Sequence, residues 1–419
     1  MNCEKALDYL KGFRRNGIKP GLERVQELLK LLGNPQDSQK FIHVSGTNGK
    51  GSTCYMLSEI LKRAGYKTGL FTSPPLHKIN EMFHIDKNIE DYEFALVIKE
   101  ISYVIEDNEY LKNNLTEFEL LTVAAIYYFK QSACEFVLFE TGLGGSLDAT
   151  NIVSPLISVV TKISFDHMEY LGSTIQEIAT AESGIIKDNK LTVLAVQNFP
   201  EIEKIIKDKA FLKNNKLYQA SSEKLKNFQN CFSYKGFTEI KLALLGEHQI
   251  ENALTVLETI TALKDLGYKI NICHIREALS KVYWPGRLEK ISPNIFLDVS
   301  HNVDGVNCLV NFFKKSYPEQ KITFVFGVLK DKQYRKMIEL FAPIAKSIYA
   351  VKPESERALD PFWLSMVLGE YGITAKIPRN IQEALDLALS EISSNDILCI
   401  FGSFYLVGPT REILRRTLV

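Results

Sequence analysis

Residues 40–61 constrain this chain more than any other stretch. Lys40 to Val44 is a β-prone run, residues 45–52 (Ser-Gly-Thr-Asn-Gly-Lys-Gly-Ser) form a glycine-rich turn, and residues 53–61 are compatible with a helix. Strand, turn and helix start in that order make an anion site. The first amides of a helix lack an intrahelical acceptor, and the helix dipole favours negative charge at that end. Lys50 supplies a mobile cation for the outer phosphates of a nucleotide, and Ser52 or Thr53 a hydroxyl near Mg²⁺. The spacing is the short form, Gly46-x-x-Gly49-Lys50, with Val44 where the longer loop carries its first glycine. The expectation is a nucleoside triphosphate held by Gly46, Thr47, Asn48, Gly49, Lys50, Gly51, Ser52 and Thr53.

With 419 residues the chain exceeds what a single core usually supports, so at least two domains are expected. Fifty basic residues balance fifty acidic ones. That balance gives no electrostatic footprint for nucleic acid or a membrane surface. The seven cysteines (Cys3, Cys54, Cys134, Cys231, Cys273, Cys308 and Cys399) are scattered and form no C-x-x-C pair. Reduced thiols in a cytosol are the expectation. The N-terminal residues lack the apolar core of a signal peptide, and no apolar run is long enough to span a membrane. A cytoplasmic protein follows from these readings.

Strand-like runs at 41–44, 135–140, 156–163 and 191–196 alternate with helical patterns near 50–64, 117–130 and 174–187. Such alternation implies a mostly parallel sheet covered by helices on both faces. Residues 200–245 are lysine-rich and read only as a small β-containing excursion. Residues 248–266 form a strong helical pattern, and Trp284-Pro285-Gly286 interrupts it. A second alternation follows, with strands at 295–299, 321–326, 347–351 and 397–401 and helices near 303–315, 333–342, 361–370, 381–392 and 404–416. The predicted fold is therefore α/β: an N-terminal P-loop-type, mostly parallel sheet flanked by helices (residues 1–284) plus a smaller C-terminal Rossmann-like α/β domain (residues 285–419).

Several polar residues fall where such sheets bind ligands. Glu140 closes the apolar run 136–139, and a carboxylate at the C-terminal end of a buried parallel strand faces the ligand crevice. Its hard oxygens suit Mg²⁺. Asp166-His167 follows another apolar run, and Ser73 lies in a loop after Gly69-Leu70-Phe71. Glu182 is different. Thr174-x-x-Glu177 is a capping box, and Ile175, Ile178, Ala179 and Glu182 then share one helical face. A carboxylate on an apolar stripe is either paired with Arg or Lys or bound to a metal.

Taken together these residues resemble a known family. The run His43 to Thr53, Thr72-Ser-Pro74, Glu117-Phe-Glu119, Glu140-Thr-Gly-Leu-Gly-Gly145, Leu147-Asp-Ala-Thr-Asn151, Asp166-His167, Leu245-Gly-Glu-His-Gln249, Asn252-Ala253, Trp284-Pro-Gly-Arg287, Asp298-x-x-His301-Asn302 and Gly402-Ser403 occur in order over nearly the whole chain. They resemble folylpolyglutamate synthase/dihydrofolate synthase, a family of ATP-dependent Mur-type ligases. The resemblance implies a monomer whose first domain binds ATP and carries folate-binding loops, and whose second is a glutamate-ligase domain. Its substrates would be a reduced folate or dihydropteroate and L-glutamate. ATP would convert the pterin substrate's carboxylate to an acyl phosphate, and the amino group of glutamate would displace phosphate. On the resemblance, Lys50, His167 and Glu182 are the catalytic residues. Ser73, Glu140 and His167 are the Mg²⁺ ligands, and Asn252, Arg287, Asp298 and His301 contact the nucleotide.

The chain also leaves the family pattern. Glu182 stands where a lysine, used as its carbamate to hold a second Mg²⁺, is usual, so Glu182 is expected to serve that metal directly or through water. Pro75 replaces His or Phe, Met82 replaces an arginine, Ser146 stands where Gly-Gly-Arg is expected, and Val303 replaces a proline. Two lost arginines weaken the grip on an anion. The alternatives are a diverged paralogue that amidates another carboxylic acid, or a nucleotide-binding protein without ligase activity.

Overall fold

The computed structural model describes residues 1–17, 19–228 and 231–418. Contacts divide the chain into two compact units. One comprises residues 1–164, 168–242 and 251–282; the other comprises 165–167, 243–250 and 283–419.

The first unit is built on seven strands: β1 (Lys40–Ser45), β2 (Thr68–Phe71), β3 (Phe83–His84), β4 (Phe136–Glu140), β5 (Ile157–Val160), β6 (Leu191–Leu194) and β7 (Lys216–Gln219). Their order across the sheet is β3-β2-β4-β1-β5-β6-β7, parallel except for the short edge pair β2–β3. The chain builds the β4 side first and then crosses β1 to add β5, β6 and β7. Winding therefore reverses at β1, and open α/β sheets bind ligands at the carboxyl ends of strands at such a point. The phosphate loop leaves β1 there. All of β4 and β5 is buried, which is why these strands read as continuous apolar runs rather than alternating ones.

A small antiparallel sheet, β10-β9-β8, follows, made of β8 (Leu225–Phe228), β9 (Cys231–Tyr234) and β10 (Phe237–Ile240). Most of the expected elements stand where the periodicity places them, including the helices Lys50–Arg63, Glu117–Gln131 and Glu247–Asp265. Two stretches differ. Residues 200–245 contain the helix Pro200–Leu212, which Pro200 and the acidic first turn start and on which Ile202, Ile206 and Ala210 are buried one turn apart. The lysines between them are its solvated face. The helix expected over 174–187 ends at Glu182 and continues only as a single tight turn, Ser183–Ile185. Gly184 explains the break: a Cβ there would lie 2.1 Å from Ser146 Oγ and 2.4 Å from its Cα. The loop after β4 occupies the space a longer helix would need.

The second unit has five strands, β11 (Glu289–Ser292), β12 (Ile295–Asp298), β13 (Ile322–Phe326), β14 (Ala345–Ala350) and β15 (Ile397–Phe401), in the order β11-β12-β15-β13-β14. Only β11 is antiparallel to its neighbour. Phe296, Phe324, Phe326, Phe341 and Phe401 fill its core. Among the described residues, no helix is long and apolar enough to cross a membrane.

Candidate functional site

The phosphate loop keeps its shape because two glycines occupy positions no side chain fits. Gly46 has φ +126°, and a Cβ on it would meet Thr161 Oγ1 at 2.3 Å; Gly49 has φ +86°, and its Cβ would meet Asn252 Oδ1 at 2.2 Å. Asn252, on the helix Glu247–Asp265, thus lies directly against the loop. The amides of Thr47 and Asn48 both donate to Lys162 O at 3.0 Å. The Thr47 hydroxyl and the Ser164 backbone exchange two further bonds of 3.0 Å. These contacts clamp the loop to the segment after β5, so Thr47 and Asn48 hold it from behind with their backbone. Gly49 caps the following helix without a side-chain bond. The amides of Lys50, Gly51 and Ser52 are left as the helix's unsatisfied donors. Lys50 Nζ folds onto Gly46 O at 2.6 Å and Thr47 O at 3.4 Å. Neutral carbonyls hold a lysine weakly compared with a phosphate oxygen.

Glu182 reaches this loop. Its Oε2 accepts the Gly46 amide at 3.0 Å, and its backbone oxygen accepts the Ser45 hydroxyl at 2.9 Å. The carboxylate is buried, and burial raises its pKa; the nearby Lys50 charge and the Gly46 amide draw it back, while Asp148 adds to the rise. A carboxyl whose pKa is higher folded than unfolded favours the folded state at low pH, and this advantage is lost as pH rises past the unfolded value. Glu182→Gln keeps an acceptor for Gly46 and removes the buried charge. It is expected to raise the melting midpoint at pH 8 by about 2–4 °C, with the gain vanishing near pH 4. A midpoint shift independent of pH would show that the charge carries no such penalty.

Glu140 ends β4 level with Val44 of β1, is buried, and accepts the Ser73 amide at 3.2 Å on Oε2. Ser73 and Glu140 are therefore neighbours. The loop after Glu140 is held by a buried polar chain that the sequence reading missed. Asp148 accepts Gly142 N at 3.0 Å, Leu143 N at 2.8 Å, Thr150 N at 3.0 Å and the Thr150 hydroxyl. His43 Nε2 lies 2.8 Å from that same hydroxyl. Because Thr150 spends its proton on Asp148, His43 donates from Nε2, the neutral tautomer. Burial, with Lys187 nearby, lowers its pKa to about 3. A histidine inside an otherwise apolar strand was the available signal.

Two positions that depart from the family pattern find their physical account here. Met82 is buried in the apolar core beside Phe71 and Phe83, so it packs where an arginine would need a partner. Ser146 donates its amide (2.9 Å) and its hydroxyl (3.0 Å) to Ala181 O, fastening the loop to the helix that carries Glu182. Pro75 precedes a turn closed by Glu81, which accepts Leu76 N at 2.7 Å and His77 N at 3.0 Å.

The second unit gathers its own cluster. Asp166 accepts Lys332 Nζ at 2.6 Å, Asn302 Nδ2 at 3.1 Å and the His167 amide at 2.8 Å, and His301 Nε2 lies 3.5 Å from it. Burial opposes its ionisation. The His301 contact, Lys332 and His167 outweigh burial and hold the Asp166 pKa far below the ordinary carboxylate range. His167 itself sits at φ +49° with its ring partly exposed. Asp298 is buried and turned onto its own chain: it accepts Leu288 N at 2.7 Å, Ser300 N at 2.9 Å and the Ser300 hydroxyl. Val299 N donates to Gly286 O at 2.9 Å. The backbone on both sides of Arg287 is thereby fixed, while its guanidinium lies over the Phe404 ring. Of the expected set, the structure groups Lys50, Glu182 and Asn252 around the loop with Glu140 and Ser73 beside each other. It places His167, Arg287, Asp298 and His301 in the other unit.

Hard oxygen donors at the first group suit Mg²⁺. The hydroxyls of Thr53, on the helix that Lys50 begins, and of Thr141, next to Glu140, are buried without a hydrogen-bond partner. Buried polar groups left unpaired in a folded chain call for an explanation such as a missing ion or water. Among the described residues, no three His, Cys, Asp or Glu side chains form a metal cluster by themselves.

Residues 44–260 match the Mur ligase middle domain, and residues 286–404 the Mur ligase glutamate ligase domain. Fold and phosphate loop together define a Mur-type ligase. The chain is 35% identical to the dihydrofolate synthase/folylpolyglutamate synthase of Bacillus subtilis, covering 98% of this chain and 99% of that protein. Among solved structures, Mycobacterium tuberculosis folylpolyglutamate synthase complexed with ADP superposes with a TM-score of 0.91 at 28% identity, covering 98% of each chain. E. coli FolC in complex with DHPP and ADP superposes with a TM-score of 0.89 at 28% identity, covering 100% of this chain and 99% of the other. The chain belongs to the folylpolyglutamate synthase/dihydrofolate synthase family.

Proposed function

We propose that this protein is an ATP-dependent ligase that adds L-glutamate to the carboxylate of a folate, extending tetrahydrofolate or forming dihydrofolate from dihydropteroate. The observation that carries the reading is the phosphate loop, with Lys50 hydrogen-bonded to loop carbonyls and Glu140 at the end of the strand beside it. The helix-start amides and Lys50 bind the phosphates and orient the γ-phosphoryl group towards the substrate carboxylate. Such transfer is accelerated by positioning and charge stabilisation more than by covalent chemistry. The acyl phosphate that results is attacked by the amino group of glutamate, and phosphate leaves from a tetrahedral intermediate. Glu182 acts from the Gly46 side, keeping the loop's first amide in place while Lys50 follows the moving charge.

Ser73 and Glu140 would hold Mg²⁺, which supplies charge neutralisation at the transferring phosphate; His167 is assigned the same role on the resemblance. Asn252 supports the loop at Gly49, and Arg287 is the nucleotide contact of the second unit, with Asp298 and His301 positioned around it. The pterin substrate is the finer part of the reading, and the complex of E. coli FolC with DHPP and ADP supports it.

The test is ADP release with L-glutamate plus tetrahydrofolate, plus dihydropteroate, or with neither acid, followed by product masses. ADP release stimulated by at least one acid, with a product heavier by one glutamyl residue, is expected. ADP release that neither acid stimulates would overturn the assignment.

A further inference from the structure

The backbone on either side of Arg287 is left-handed. Gly286 has φ +72° and Leu288 has φ +45°. Glycine enters that region freely, whereas a leucine stays there only where its surroundings hold it. Two buried carboxylates supply much of that hold. Glu289 Oε2 accepts Gly286 N at 2.8 Å, and Asp298 Oδ2 accepts Leu288 N at 2.7 Å. Val299 N donates to Gly286 O at 2.9 Å, and the Leu288 side chain is buried in the core with Phe296. The turn that presents Arg287 is thus bonded on both flanks.

Glu289 is itself gripped from the last helix of the chain, Phe404–Leu418. Arg411 Nε, on that helix, donates to both Glu289 oxygens at 2.8 and 2.9 Å. Arg411 Nη2 donates to the Tyr283 oxygen at 3.0 Å, and the Tyr283 hydroxyl donates to Glu289 Oε1. Both charged side chains are buried. A buried ion pair of this kind is weak evidence for stability, because apolar residues of similar volume commonly serve as well. What apolar residues cannot supply is an acceptor. Held by Arg411 and Tyr283, the Glu289 carboxylate keeps an oxygen on the Gly286 amide.

We propose that Glu289, oriented by Arg411 and Tyr283, is a positioning residue for nucleotide binding: its carboxylate holds the Gly286 amide and thereby the turn that presents Arg287. This rests on the reading of Arg287 as a nucleotide contact. Removing the acceptor lets the Gly286 side of the turn relax, so the binding step loses affinity. Lys50 and the phosphate loop belong to the other unit and are unaltered, so the chemical step is unchanged once ATP is bound.

The test compares two double variants that remove the same two charges. Glu289→Leu/Arg411→Met leaves no acceptor for Gly286 N, whereas Glu289→Gln/Arg411→Met keeps a carbonyl oxygen for it. KM for ATP and kcat are measured under ligase conditions, ADP binding by calorimetry, and melting midpoints serve as the folding control. The leucine variant is expected to raise KM for ATP and weaken ADP binding about 5- to 20-fold, the lower part of the scale for one hydrogen bond to a charged acceptor because the turn keeps its other anchors. Its kcat stays within about 3-fold of the parent. The glutamine variant stays within about 2-fold of the parent in KM and in ADP binding. Glu289→Asp keeps the charge for Arg411 but withdraws the carboxylate by one methylene; it is expected to raise KM as well, and it carries the test if the leucine variant does not fold. In an Arg287→Met background neither the leucine nor the aspartate change adds anything further. Equal KM for the leucine and glutamine variants, an equal KM increase with and without Arg287, or a fall in kcat at constant KM overturns the proposal. If Arg287→Met alone leaves both KM for ATP and ADP binding unchanged, the nucleotide-contact reading itself fails, and that outcome is distinct from failure of the Glu289–Arg287 coupling.

Discussion

Lys50→Met is expected to lower kcat/KM for ATP by roughly 10²–10³-fold, the cost of removing one preorganised group that stabilises transition-state charge. The other donors of the loop are neutral amides and do not replace the Lys50 charge. Its removal has a second consequence inside the loop. The buried Glu182 carboxylate has its pKa raised by burial and drawn down partly by the Lys50 charge. Without that charge the pKa rises further, so the variant loses stability as pH increases from about 4 towards 8 and loses little at low pH. Adding Glu182→Gln removes the buried charge and should recover the stability without recovering the activity. Steady-state kinetics and melting curves at pH 5 and pH 8 check both halves. Activity within 10-fold of the parent, or a stability loss the same at both pH values, contradicts this account of the loop.

Lys332→Met is expected to destabilise the protein by about 3–5 kcal/mol at pH 7, the range for breaking a buried ion pair from one side. The pair is buried on both partners, with side chains 4% and 6% exposed, so solvent screening reduces it little. The Asp166 pKa is held below its ordinary value in the folded chain, in part by Lys332. Its contribution to stability is therefore present above the unfolded pKa and is lost as pH falls through the folded one. The deficit of Lys332→Met should be full at neutral pH and shrink once pH drops below about 4. Asp166→Asn is costly for the mirror reason, since it strands Lys332. The double variant Asp166→Asn/Lys332→Met should cost less than the sum of the two. Urea unfolding at pH 7 and pH 4 gives the three free energies; strict additivity would mean the two residues do not act as a pair. Because Asp166 also accepts the His167 amide, ligase activity should fall in each of these variants, even at temperatures where they remain folded.

Much of the fold was legible in local pattern. The β1 run and the helix Lys50–Arg63 are marked by residue types whose effect is short-ranged: apolar runs and glycines at positions of positive φ. The capping box Thr174-x-x-Glu177 located its helix, and the face Ile175, Ile178, Ala179 and Glu182 is buried as the spacing required. The same spacing could not say where that helix stops, because Gly184 ends it against Ser146, a residue of a separate loop. Nor could composition distinguish the helix Pro200–Leu212 from loop, since its lysines mask a narrow stripe of Ile202, Ile206 and Ala210.

The candidate site divides along the same line. The order of residue types in the chain determined that a glycine-rich strand–turn–helix exists, that Lys50 begins its helix and that Glu140 ends a strand, because each follows from neighbours within a few positions. Tertiary structure alone decided what each buried polar group touches. Glu182 meets Gly46 across 136 residues, Asp166 meets Lys332 across 166, and His43 meets Thr150 across 107. A buried charge or imidazole must find a partner somewhere, and sequence states that need clearly. Which partner answers it depends on how the strands order in the sheet and where the loops between them close, and no local rule carries that information.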